Sequence, residues 1–269
     1  MAVPEARSLV LPLTSPEEIA PFLKRVPVAL DPQRFSEFVL GFPRRYLELT
    51  PAVEVVRHFA LMNGLGSRAV ISSIAPEEDA WRVSVVARDR QALFSGITGS
   101  LSAFGLDIVS AEGFANANAI VLDTFTCKDG GGQFETPANR RSFQVFLERV
   151  VSGSLQLEPV IERLALALAA PSDAAIDVSF DDEPELPATR VVLRAADRFG
   201  LLYFVSRAIS RAGCDIELAD IATPSGTAVD TFYVTRSGLP LDEPACARLR
   251  EAIQHCWPAN TDSRLPAAG

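Results

Sequence analysis

Apolar and polar positions change period along the chain in a fixed order. Val83, Val85 and Ala87 alternate with Ser84 and Val86, which predicts a strand, and Leu93, Ile97, Leu101 and Phe104 then recur at helical spacing as far as Gly105, a helix-stopping residue. Two β runs follow over 107–113 and 120–127 with a polar turn at 116–118 between them, and helical spacing returns over 139–151 through Phe143, Phe146 and Val150. The whole order then recurs: a strand over 190–195, a helix over 199–212, strands over 215–222 and 227–235, and a helix over 242–256.

The recurrence is one of residues as well as of period. The stretch from Val83 to Arg90 aligns with that from Val191 to Arg198, and the register holds through Leu93 with Leu201, Gly105 with Gly213, Asp107-Ile108 with Asp215-Ile216 and Ala111 with Ala219. After a slip of a single residue, Asp123-Thr124-Phe125 aligns with Asp230-Thr231-Phe232. Self-similarity of this kind means two copies of one structural unit. A β-α-β-β-α unit lacks the fourth strand of a ferredoxin-type sandwich. Ile176, Val178 and Phe180 alternate just before the second copy, and 69–74 holds the equivalent place before the first, so each unit is expected to open with a strand that takes the position of the usual last one.

The predicted class is therefore α+β: two ferredoxin-like α/β sandwiches with antiparallel sheets behind a small helical segment. The expected boundaries are 1–67 for the helical segment, 68–152 and 175–258 for the sandwiches, a linker helix in 153–174, and a disordered tail over 259–269. In the linker, Leu157, Val160, Ile161, Leu164 and Leu168 share one helical face, which reads as a brace packed on a sheet or a neighbour. Ahead of the first unit, Ser15-Pro16-Glu17-Glu18 is a capping box with proline at the first helical position, and Asp31-Pro32 and Thr50-Pro51 start two more helices.

Composition narrows the function classes. At 269 residues with 48% hydrophobic and 22% charged positions, the chain has material for two cores, and its net charge of −9 would be repelled by a nucleic-acid backbone or an anionic membrane. No apolar run approaches the roughly 20 residues of a membrane span, and the N-terminus lacks a signal-type apolar region. The four cysteines, Cys127, Cys214, Cys246 and Cys256, have neither paired nor zinc-ligand spacing, so reduced thiols in a cytoplasmic protein, with no metal and no cofactor, are expected.

The run Asp197-Arg198-Phe199-Gly200-Leu201-Leu202 after a strand, followed by Asp215-Ile216 and later by Asp230-Thr231-Phe232, resembles the ACT domain, a ligand-sensing fold. More narrowly, these residues, with Pro43-Arg44-Arg45-Tyr46-Leu47 and Val56-Arg57-His58, are similar to the C-terminal part of the bifunctional uridylyltransferase and uridylyl-removing enzymes that act on the PII nitrogen-signalling protein. The resemblance covers about residues 38–256. The resemblance implies that catalysis in those enzymes resides outside the matched region. Nucleotidyl transfer needs a Gly-Ser turn leading to paired metal-binding aspartates, yet no Asp-x-Asp occurs and Gly99-Ser100 falls within a predicted helix. The acidic cluster Asp181-Asp182-Glu183 reads as a solvated turn, and two isolated histidines cannot supply a phosphohydrolase centre.

The resemblance implies an amino-acid ligand, glutamine first, held against the loop between the first strand and first helix of a unit, at an interface between two units. The helix N-terminus would take a carboxylate there. Those loops are Asp89, Arg90, Gln91, Ala92 and Leu93 in the first copy and Asp197, Arg198, Phe199, Gly200 and Leu201 in the second; Asp107-Ile108 and Asp215-Ile216 hold the family's second ligand-contacting position. Gly200 leaves more room than Ala92, so the second loop is the better pocket, although Phe199 replaces the family's usual proline. Simpler roles exist beside these. Asp89 and Asp197 read equally as helix N-caps worth about 1 kcal/mol each, and Asp107 and Asp215 as turn residues after a glycine. Arg90 and Arg198 pair with neighbouring acids or a ligand, or stay solvated; Asp123 and Asp230 serve turn geometry or sheet pairing; His58 and Cys214 are structural. The expected function is a non-catalytic sensor whose two units pair their sheets within the chain or across a homodimer and regulate a protein partner. A divergent or split uridylyltransferase and an interaction module without ligand are the alternatives.

Overall fold

The computed structural model describes residues 12–26, 30–168, 176–182, 188–222 and 227–257. The expected tail over 259–269 and the end of the linker lie outside the described residues. Among the described residues four helices come first, α1 (Pro16–Leu23), α2 (Pro32–Val39), α3 (Arg44–Leu49) and α4 (Ala52–Leu65). The first copy follows as β1 (Val70–Pro76), β2 (Trp81–Arg88), α5 (Leu93–Ala103), β3 (Asp107–Ala115), β4 (Ile120–Lys128) and α6 (Pro137–Val151). After α7 (Glu158–Leu168) the second runs β5 (Asp177–Asp182), β6 (Thr189–Ala196), α8 (Leu201–Arg211), β7 (Asp215–Ala222), β8 (Thr227–Thr235) and α9 (Glu243–Gln254). The sequence pattern did not mark α3, and Asp181 and Asp182 end a strand rather than forming a turn, with Asp181 3.3 Å from Arg190.

All eight strands form one antiparallel sheet in the order β1-β2-β4-β3-β7-β8-β6-β5. The opening strands β1 and β5 occupy the outer edges beside β2 and β6, the position a ferredoxin-type sandwich gives to its last strand. Sheet pairing between the copies happens within the chain, where β3 meets β7 from Ser110↔Ala222 to Phe114↔Leu218. In that ladder Glu112 faces Asp220, the equivalent position of the other copy, so an approximate twofold axis passes between them.

One face of the sheet carries α5, α6, α8 and α9 over a core that includes Val83, Val85, Phe125, Val191, Leu193 and Phe232. The expected brace α7 sits on this helical layer, not on the sheet: Leu157, Ile161 and Ala165 cluster with Tyr203 and Phe204 of α8. Arg207 on α8 ties to Glu158 at 2.8 Å and Glu162 at 3.4 Å. The opposite face of the first copy is covered by the N-terminal helices. Val86, Phe114 and Leu122 point there into an aromatic cluster in which Phe42 and Tyr46 lie 4.8 Å apart and Tyr46 and Phe114 5.5 Å apart, centroid to centroid. His58 is a buried joint between the layers, within 3.1 Å of the Tyr46 hydroxyl through Nδ1 and 3.4 Å of the Ser84 hydroxyl through Nε2. Burial lowers its pKa to about 4, so it is neutral.

A backbone stitch fixes how this helical layer docks. The Asn116 side chain donates to the Phe38 carbonyl at 2.7 Å, and the Ala117 N–H donates to the Leu40 carbonyl at 2.9 Å. The close approach is possible because Gly41 adopts φ +90°, and an added Cβ there would overlap the Ala117 backbone. Gly41→Ala should destabilise the chain by more than the roughly 1–3 kcal/mol of backbone strain alone, because the clash is with backbone that cannot rotate away. Hydrogen exchange should show the loss in α2–α4 first, with β6–β8 protected as before.

Candidate cross-unit binding pockets

The two strand-to-helix loops end alike. Ala92 (φ 60°, ψ 20°) and Gly200 (φ 73°, ψ 9°) are the N-cap residues of α5 and α8, both left-handed and neither supplying a side-chain cap. Asp89 and Asp197 therefore do not cap their helices, contrary to the simpler expectation, and the first turns keep backbone N–H groups that no side-chain cap takes up. For Ala92 this conformation costs about 1–2 kcal/mol relative to glycine, so the surrounding packing imposes it.

The twofold arrangement carries each loop to the other copy. The loop of residues Asp89, Arg90, Gln91, Ala92 and Leu93 faces the start of β7, and a cavity of about 160 Å³ lies between them, reaching Asp215 and Ile216. The loop of Asp197, Arg198, Phe199, Gly200 and Leu201 faces the start of β3 across a cavity of about 360 Å³ that reaches Asp107 and Ile108. All fourteen positions singled out in the sequence thus fall into two cross-unit groups, each joining a loop of one copy to the Asp-Ile pair of the other. Asp107 is close enough to Asp197 to raise its pKa, as a second cause after burial. The two arginines line the cavities and are also held by groups beyond them. Arg90 donates to the Val151 carbonyl, and Arg198 stacks on Trp257 with its guanidinium carbon 4.0 Å from the ring centroid.

Two residues of these pockets were misread in the sequence. Asp123 and Asp230 sit in mid-strand on the helix-facing side, 1% and 2% exposed, each with one carboxyl oxygen that has no hydrogen-bond partner among the described residues. Asp123 lines the first pocket and Asp230 the second. Burial, with the charge of Asp89 behind it, pushes the Asp123 carboxyl up to about 8. Burial also raises Asp230, to about 7, against the Ala222 backbone hydrogen bond that lowers it, while Asp197 adds to the rise. Gly113, paired across the ladder with Asp123, makes room for the first of these carboxyls: an added Cβ would lie 2.6 Å from Oδ1.

These shifts have a sign that can be measured. An aspartate whose folded pKa exceeds its unfolded value binds more protons folded than unfolded, so stability is greatest at low pH and falls as pH rises from about 4 toward 7 and 8. Each group contributes a slope of up to about 1.4 kcal/mol per pH unit within its window. His58, depressed to about 4, gives a slope of opposite sign below its ordinary value. Urea unfolding of the wild type and of Asp123→Asn/Asp230→Asn between pH 5 and 7 cancels the histidine. The wild type should lose about 2 to 3 kcal/mol per unit relative to the variant. Parallel curves would show that neither carboxyl is raised.

No family model matches the chain. Among curated proteins it is 34% identical over 180 residues to the bifunctional uridylyltransferase/uridylyl-removing enzyme of Azospirillum brasilense, an alignment covering 64% of this chain and 19% of that enzyme. Its identity to the enzyme of the same name from Gluconobacter oxydans is 33%, over 66% of this chain and 20% of the relative. For that of Phenylobacterium zucineum it is 31%, over 78% and 22%. The chain spans about a fifth of the length of the curated relatives it matches. It is similar to one portion of the bifunctional uridylyltransferase/uridylyl-removing enzymes, consistent with resemblance to a regulatory region of that enzyme.

Proposed function

We propose that this chain is a non-catalytic regulatory module of the ACT type that binds an amino acid, glutamine first among the candidates, in its two cross-unit pockets. The observation that carries the reading is their shared construction. Each pocket pairs the N-terminus of an eleven-residue helix without a side-chain cap with carboxyl groups from both copies. An amino acid has the matching ends: backbone N–H groups at a helix N-terminus favour its carboxylate, and the aspartates favour its ammonium. Because each pocket is built from both copies, a bound ligand ties the two halves of the sheet together, and a protein partner contacting both halves would sense the change. The similarity to one portion of uridylyltransferase/uridylyl-removing enzymes supports a place in nitrogen signalling. Among the described residues no group of histidine, cysteine or acidic side chains has a metal-holding arrangement, and no helix is long and apolar enough to cross a membrane.

Thermal unfolding of the chain against each of the twenty amino acids tests this. A ligand at 100 times its dissociation constant should add about 2.7 kcal/mol, a shift of several degrees. Asp107→Ala and Asp215→Ala should each weaken one of the two sites. A transition unmoved by every amino acid at millimolar concentration would remove the sensor reading.

A further inference from the structure

We propose that Asp123 and Asp230 are the residues that receive the ligand's ammonium group, one in each pocket, and so restrict both sites to ligands carrying a free amine. This rests on the reading of the pockets as ligand sites and names the chemistry they select. Each carboxyl is at least nine-tenths buried, lines its cavity and leaves one oxygen without a partner among the described residues. A buried acceptor left unsatisfied is costly, and it stays that way at equivalent positions of two copies whose other pocket walls have diverged. Gln91, Ala92 and Gly113 of the first pocket stand where the second has Phe199, Gly200 and Ile221. What both keep is the acid. A feature shared by pockets of different wall chemistry suits the part that all amino acids share, and the varied walls suit the part in which they differ.

The surrounding charge favours a cation. The groups facing Asp123 are Asp89 and Arg90 from its own copy with Asp215 and Glu217 from β7, and Glu217 is already accepting from the Thr235 hydroxyl at 2.7 Å. Asp230 faces Asp197 and Arg198 of its own copy and Asp107 from β3. Both arginines line the pockets but are held by the Val151 carbonyl and the Trp257 ring, and the buried Arg198 Nε has no hydrogen-bond partner among the described residues. With the buried carboxyls raised toward neutrality, an arriving ammonium displaces a proton to solvent and leaves a carboxylate paired with it.

Isothermal titration of the full chain at pH 7.5, in two buffers of different ionisation heat, decides the matter. The probes are L-glutamine, N-acetyl-L-glutamine, n-butylamine and calcium chloride. Glutamine should fill two sites with proton release. The N-acetyl derivative, which keeps the carboxylate and side chain but has no ammonium, should bind about 10- to 100-fold more weakly, the worth of a charge-assisted hydrogen bond. Asp123→Asn and Asp230→Asn should each remove one site and leave the other. Acetylated glutamine binding as tightly as glutamine overturns the assignment, and because that comparison uses the wild type it holds even if a variant fails to fold. Glutamine binding unchanged to the double variant overturns the assignment while leaving the amino-acid reading intact. Butylamine bound, with all twenty amino acids rejected and the butylamine lost in the double variant, upholds the assignment and removes the amino-acid reading. Calcium bound in place of any amine, or none of these ligands bound, overturns the assignment.

Discussion

The pairing of β3 with β7 is the interaction on which the rest of the molecule depends. It is a short ladder, from Ser110↔Ala222 to Phe114↔Leu218, yet it joins two four-stranded halves into one sheet and removes the two inner edges, which would otherwise present unpaired backbone groups. Its register also sets the geometry of everything above it. With equivalent residues Glu112 and Asp220 face to face, antiparallel pairing relates the copies by an approximate twofold, and the strand-to-helix loop of each is carried to the other's β3 or β7 start. A register slip of one residue would turn the side chains of one half to the wrong face, and the pockets would be lost with it. The helical layer reinforces the same axis. Gly99 on α5 leaves space that the Leu157 and Tyr203 side chains fill, which brings α5, α7 and α8 into one packed group.

The two faces of the sheet are treated differently, and the contrast follows from side-chain parity. In the first copy the strands are apolar on both sides: Val83 and Val85 face the helical layer, while Val86, Phe114 and Leu122 face the N-terminal helices. In the second copy β6 keeps the buried row Val191, Leu193 and Ala195 and places Arg190 and Arg194 on the other side. The N-terminal helices thus pack mainly on the first half, with Leu218 of β7 reaching the same cluster, and the Asn116–Phe38 bond with the close approach of Gly41 to Ala117 sets where they dock.

Most of this order was legible in the sequence, because it is periodic. Alternation and helical spacing marked the strands and helices of both copies, and the repeat showed that a strand ahead of each copy must complete its sheet, as β1 and β5 do. The fourteen pocket positions were legible through the resemblance, but not which loop faces which strand, since that depends on the β3–β7 register. The N-cap reading of Asp89 and Asp197 failed because Ala92, an unusual residue for a left-handed conformation, takes the cap position, as Gly200 does in the second copy. The signal for the missed residues was present. Asp123 has the parity of Phe125 and Cys127, and Asp230 that of Phe232 and Val234, all buried toward the helices. An acid on the apolar parity of a strand is a stronger sign than an acid in a loop, because a loop aspartate has ordinary uses and a core one has few. Likewise Val86, which interrupts the alternation of β2, marked a sheet covered on both faces.

A buried acid without a partner costs stability, and this fold bears that cost twice. Evenly packed apolar residues at both positions would be the stabler choice if the strands served only to hold the helices. The cost acts on the two halves together, since each carboxyl lies in a cavity whose far wall belongs to the other copy. A proton or a ligand cation that neutralises Asp123 or Asp230 does so in a cavity walled by both copies. In the two central pockets this cost is relieved by a proton below about pH 8 at Asp123 and about pH 7 at Asp230, and a cationic ligand would relieve it above those values. A single carboxyl in each pocket thus lies beside the junction that organises the whole sheet.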